Sequence, residues 1–236
     1  MNILLLETAT PVCSVALLSD GQIVASQQST EPNAHSSRLA PFIHSLFTQA
    51  NLPMSSLDAV CVSSGPGSYT GLRIGVSSAK GICYALNIPL LAVPTLESMA
   101  AHYYALHNDY DGLVCPMIDA RRMECYTALY SRDGEVQPTR AEVLESGCYD
   151  HWLDSHTVAF VGDGAAKTRP LFAQHPNARY DDAFLPSASG MASLATQRLK
   201  KGQTENVAYF EPFYLKDFVA KKSVVHGLRK ETPSTT

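Results

Sequence analysis

The sequence predicts an α/β protein built from two similar lobes. Three observations lead there: apolar strands alternate with amphipathic helices, a strand-turn-strand pattern near the start returns half a chain later, and 236 residues, 45% of them hydrophobic, are enough to bury two cores.

From the N-terminus, the apolar run NILLLE (2–7) is followed by VCSVALL (12–18), Asp20-Gly21 and QIVASQ. Asp-Gly between extended runs predicts a hairpin, since both turn positions tolerate positive φ, so three successive strands open the chain. Leu39, Phe42, Ile43, Leu46, Phe47 and Ala50 then recur at the spacing of a helix that buries one face. Pro41 is expected in its first turn or at a kink. LDAVCVSS (57–64) predicts a buried strand, GPGSYTGLR a junction into a helix reaching about Asn87, and PLLAV (89–93) another strand, with a further helix from Thr95. This alternation implies parallel pairing.

GLVCPMID (112–119), ECYTALYS (124–131) and Asp133-Gly134 restart the pattern. Each half has an apolar strand ending in an acid (Glu7, Asp119), a short turn, a second strand carrying Cys13 or Cys125, and Asp-Gly; the two acids and the two cysteines each stand 112 positions apart. Two similar α/β lobes, each opening with a three-strand meander, describe the actin, hexokinase and Hsp70 architecture. The expected division is an N-terminal lobe over 1–108, a C-terminal lobe over 109–216 and a basic, flexible tail over 217–236. The closing stretch carries Lys216, Lys221, Lys222, Arg229 and Lys230 before a Pro/Ser/Thr end. It reads as a docked segment with a frayed end, or as a basic contact for nucleic acid or a partner.

Composition excludes several classes. A formal charge of -4 and a pI near 6 argue against a surface built to hold nucleic acid alone, which wants clustered positive charge. The six cysteines show no CxxC and no zinc-type spacing, so they read as buried thiols in a reducing compartment. The apolar run Ile3–Leu6 stops at Glu7 with no basic region ahead, so no signal peptide is expected. No run reaches the roughly 18 apolar residues of a membrane-spanning helix, and a soluble, cytoplasmic protein is expected.

The most specific local signal is Gly65-Pro66-Gly67-Ser68-Tyr69-Thr70-Gly71-Leu72-Arg73, between a buried strand and a helix. Such a junction presents free backbone N–H groups that suit anions. It lacks the Gly-Lys-Ser/Thr of a P-loop, and Ser68 lacks the flanking glycines of a hydrolase elbow. Further along the helix, Gly71, Gly75, Ser78 and Ala79 leave one face nearly bare, which permits close approach by the chain's own sheet or by a partner. His35 lacks a second histidine one turn on, where Leu39 stands, so it reads as a surface or capping residue and no metal site is expected. His102/His107 and His151/His156 are five apart, off a common helix face, and read as ordinary. No catalytic nucleophile stands out.

GPGSYTGLR, together with LLLETAT, the His35-Ser36-Ser37-Arg38-Leu39 segment, Ile118-Asp119-Ala120-Arg121 and Glu211-Pro212-Phe213-Tyr214-Leu215, resembles the TsaB (YeaZ) family in order and spacing over residues 1 to about 216. The resemblance implies an actin-like ATPase (ASKHA) fold. It implies a non-catalytic subunit required for threonylcarbamoyladenosine (t6A) modification of the adenosine next to the anticodon in tRNAs reading codons that begin with A. Implied partners are a TsaD-like transferase and a TsaE-like ATPase, with a homodimer when alone, tRNA reached through the complex, and no cofactor. It marks Gly65, Pro66, Gly67, Ser68, Tyr69, Thr70, Gly71 and Arg73 as the family loop, and favours Gly71, Gly75, Ser78 and Ala79 as the partner interface.

Actin-like ATPases place Asp-Gly at the end of each lobe's first strand, where the carboxylate holds metal-bound water and glycine lets phosphate approach. Here Glu7-Thr8-Ala9 and Asp119-Ala120-Arg121 lack that glycine, and Glu7 also departs from the family's usual Asp. Glu7, Thr8 and Asp119 are therefore vestigial nucleotide-site positions, the two acids expected to cap turns and pair with Arg121 or Arg122. The rival reading is an autonomous ATP-dependent small-molecule kinase of the actin/hexokinase class, opposed by the missing glycines and the short chain. A self-contained peptidase is opposed by the absent metal pair and elbow.

Overall fold

The computed structural model describes residues 1–216, so the expected tail over 217–236 lies outside the described residues. The first half runs β1 (Asn2–Glu7), β2 (Cys13–Ser19), β3 (Gln22–Ser29), α1 (Ala34–Ala50), β4 (Ala59–Ser63), α2 (Tyr69–Leu86), β5 (Leu90–Val93) and α3 (Thr95–Leu106). The second runs β6 (Leu113–Asp119), β7 (Glu124–Ser131), β8 (Gly134–Val143), α4 (Asp150–Leu153), β9 (Val158–Val161), α5 (Arg169–Phe172), β10 (Ala178–Tyr180) and α6 (Ala192–Lys200).

The strand order is β3-β2-β1-β4-β5 in one sheet and, read the same way, β8-β7-β6-β9-β10 in the other. β1 pairs antiparallel with β2 and parallel with β4, as β6 does with β7 and β9. The sequence repeat is thus a topological repeat. Asp20 and Gly21 take φ of 47° and 84°, which fits the predicted hairpin turn. The first helix begins earlier than Leu39 suggests, at Ala34, so Pro41 sits in its interior. That position is tolerated because Pro41 is exposed, and the carbonyl left without its donor belongs to the exposed Ser37.

Helix α3 leaves the first sheet but packs on the second, where Leu96, Met99, Ala100 and Tyr103 meet Val114, Ile118 and Ala159. Conversely, Ala195 of α6 and the preceding 3-10 turn (Ala188–Met191) pack with Ile3, Leu5, Ala59 and Leu91 of the first. The crossing is tight: a Cβ at Gly190 would lie 2.6 Å from the Ser98 carbonyl oxygen. Arg198 pins the crossing by donating to the Ala92 carbonyl at 2.7 Å and to Glu97 at 2.9 Å. The expected lobe boundary at 108/109 falls between α3 and β6, after α3 has already carried the chain onto the second sheet.

Candidate functional site

The ends of β1 and β6 and the N-terminus of α2 meet at a cleft between the lobes. On the first-lobe side, Thr8, Ala9 and Thr10 are buried, and the Ser68 N–H donates to the Ala9 carbonyl at 2.6 Å. A Cβ at Gly67 would collide with Ala9, and one at Gly71 or Gly75 with Thr8, so only glycine lets the loop and α2 seat this closely. Pro66 is buried with them, and the Ser68 hydroxyl caps α2 by accepting from the Gly71 N–H at 3.2 Å. Gly67, Gly71 and Gly75 thus seat the loop and the start of α2 directly on Thr8 and Ala9, and the same corner borders the open cleft.

The two acids have parallel turns and opposite environments. Each accepts a hydrogen bond from the N–H two residues on, Glu7 from Ala9 at 2.7 Å and Asp119 from Arg121 at 2.6 Å. Glu7 is fully buried; one oxygen also accepts from the Ser63 hydroxyl at 3.2 Å, and the other has no partner among the described residues. Burial pushes its carboxyl up to about 7, against weaker downward pulls from Ala9 and Ser63. Desolvation also acts upward on Asp119, but hydrogen bonds from the Lys167 ammonium and the Arg121 backbone hold it below the ordinary carboxylate value. The expected ion pair with Arg121 or Arg122 is therefore corrected: Asp119 pairs with Lys167 at 2.7 Å, whose ammonium also donates to the Glu124 carbonyl at 2.9 Å. Glu7 lies too deep to meet either arginine.

The bare face of α2 turns inward. Gly71, Gly75 and Ala79 are buried against the first lobe, Ser78 is half-buried on the flank, and Gly81 points away. An interface formed by Gly71, Gly75 and Ala79 would require unpacking the lobe, so the chain's own β1 end is the partner of that face. The outward face carries Thr70, Arg73, Ser77, Gly81 and Tyr84, the last 85% exposed.

The late motif completes the cluster. The Phe213 N–H donates to the Ser64 carbonyl at 2.7 Å, the Tyr214 ring lies 4.8 Å from that of Tyr69, and Arg73 sits 4.2 Å over Tyr69 while donating to the Tyr214 hydroxyl. A cavity of about 530 Å³ remains in the cleft, touched by His35, Thr70, Asp119, Arg121 and Tyr214. His35 is neither a surface nor a capping residue: it lies within the first turn of α1, half-buried, and its Nε2 has no partner among the described residues. Leu39, where a metal-binding pair would need a second histidine, is buried in the first-lobe core. Sequence reasoning missed Asp163, Tyr126 and Lys216, which folding brings to the cleft, and Lys167 and Glu124, which pair with Asp119 and Lys216 of its lining. Among the described residues, no helix is long and apolar enough to cross a membrane.

A meander-opened sheet built twice, with the cleft between the copies, defines a protein of the actin-like (ASKHA) class. A sequence profile described as "TsaD: tRNA N6-adenosine threonylcarbamoyltransferase" matches residues 22–224. The tRNA threonylcarbamoyladenosine biosynthesis protein TsaB of Escherichia coli (strain K12) is 32% identical over 235 residues, 95% of this chain and 98% of that protein. YeaZ from Pseudomonas aeruginosa superposes with a TM-score of 0.78 at 31% identity, over 91% of this chain and 99% of that one. The activator of the 2-hydroxyisocaproyl-CoA dehydratase from Clostridium difficile, solved with bound ADPNP, shares the fold at a TM-score of 0.51 and 12% identity, over 86% of this chain and 97% of that one. The chain belongs to the TsaB (YeaZ) family, within the broader family that the transferase profile describes.

Proposed function

We propose that this chain is a non-catalytic subunit of the cytoplasmic machinery that installs threonylcarbamoyl on the adenosine next to the anticodon in tRNAs reading codons that begin with A. It binds and supports a TsaD-like transferase together with a TsaE-like ATPase, pairs with itself when alone, and meets tRNA through the complex. The observation that supports this reading is the likeness to TsaB over 95% of this chain, together with strand ends Glu7-Thr8-Ala9 and Asp119-Ala120-Arg121 that lack the glycine expected of actin-like ATPases. A fold kept without those residues is suited to association. The exposed face of α2, around Arg73, Ser77 and Tyr84, is the proposed pairing surface, in place of the buried glycine face. Reconstituting the modification with cognate TsaD-like and TsaE-like proteins, with and without this chain, tests the proposal: modified tRNA is expected only with it, and equal yields would refute it.

A further inference from the structure

We infer that residues 213–216 form a strap that closes the interlobe cleft, latched by the ion pair between Lys216 and Glu124. The two ends of the strap are held differently. At its start, the Phe213 N–H bonds to the Ser64 carbonyl at 2.7 Å, a Cβ at Gly65 would strike the Phe213 carbonyl, and Tyr214 packs its ring on Tyr69 while its hydroxyl accepts from Arg73. That anchor belongs to the first lobe. At its far end, the Lys216 ammonium reaches both carboxylate oxygens of Glu124, at 2.5 and 2.6 Å, and Glu124 opens β7 of the second lobe.

Past the Phe213 N–H, no backbone hydrogen bond of the described residues holds the strap. Tyr214, Leu215 and Lys216 all border the cavity of about 530 Å³, so the segment that joins the lobes also walls their cleft. The Lys216 side chain is 47% exposed and that of Glu124 21%, which makes the latch a solvent-reached pair, weak and salt-sensitive. The strap is thus fastened to the first lobe by a hydrogen bond and ring packing and, among the described residues, to the second by this surface pair, so the pair acts as the latch of a gate.

Hydrogen exchange on the full chain, with His35 carbethoxylation by diethyl pyrocarbonate as a readout of cleft access, tests the gate. Lys216→Met and Glu124→Gln are each expected to speed exchange at 118–124 and at the hydrogen-bonded Phe213 amide by about threefold, the loss of a modest ion pair. His35 labelling should rise in parallel while β1 and β4 amides stay unchanged. Wild-type protein in roughly 0.5 M salt should behave like the variants, where screening acts within a few ångströms. The charge-swapped pair Lys216→Glu with Glu124→Lys should restore slow exchange and low labelling. Unchanged exchange in both single variants, faster exchange without faster His35 labelling, or no restoration by the swap would each overturn the gate. The salt arm needs no substitution, so a variant that fails to fold leaves the proposal decidable.

Discussion

Glu7 is the residue whose burial has the clearest thermodynamic signature. Its carboxyl binds a proton more tightly in the folded chain, near pH 7, than at the ordinary value of 4.5. Its contribution to stability is therefore full below about pH 4.5 and is lost as pH rises through about 7, a swing on the order of 3 kcal/mol. Glu7→Gln, which carries no charge, should match wild type at pH 5 and exceed it at pH 8. Urea melts at the two pH values check this, and an equal gap at both would refute it. The sequence showed the acid at the strand end and the missing glycine beside it. It could not show the depth: Glu7 and Asp119 occupy matching positions, yet one is sealed and the other paired with Lys167, 48 residues on, because burial is a property of the assembled corner.

At the scale of the element, α2 shows where periodicity stops informing. The three- and four-residue spacing of Gly71, Gly75 and Ala79 marks a face that something approaches closely, and the helix does lie against the chain, with Gly71 on the Thr8 carbonyl and Gly75 on the Thr8 side chain. Spacing cannot say whether the approaching backbone belongs to the same chain. Two substitutions separate the faces. Gly75→Arg should unfold the first lobe, because its Cβ alone meets the Thr8 side chain and a buried unpaired charge adds several kcal/mol. Ser77→Arg, on the exposed face, should leave circular dichroism and melting temperature unchanged but weaken self-association and transferase binding over a hundredfold, about 3 kcal/mol. Light scattering on the folded variant reads the second effect. A Ser77→Arg protein that pairs as wild type does would exclude this face. Strands and hairpins were the most legible elements, since alternation and Asp-Gly turns are local signals; the start of α1, ahead of Pro41, was not, because its first turn carries only Ala34 on the buried face.

For the whole molecule, the repeat at an offset of 112 residues foretold two sheets of one topology, while the exchange of α3 and α6 between them left no local trace. The absence of glycine after Glu7 and after Asp119 makes a prediction about the intact chain: purified protein should show no steady ATP turnover. Turnover abolished by Asp119→Ala would revive the kinase reading. The exchange of helices has a different consequence, for how the chain can be divided. Cut at 108/109, an N-terminal piece would carry Leu96, Met99 and Tyr103 with nothing to cover them, and a C-terminal piece would carry Met191 and Ala195 torn from the sheet they cover. Each fragment holds the other's missing part, so neither should fold alone, and the two mixed together should assemble into a native-like pair. Such complementary halves make a split reporter: separately expressed fragments are expected to be aggregated or protease-sensitive, and co-expressed ones to recover wild-type circular dichroism as a one-to-one complex.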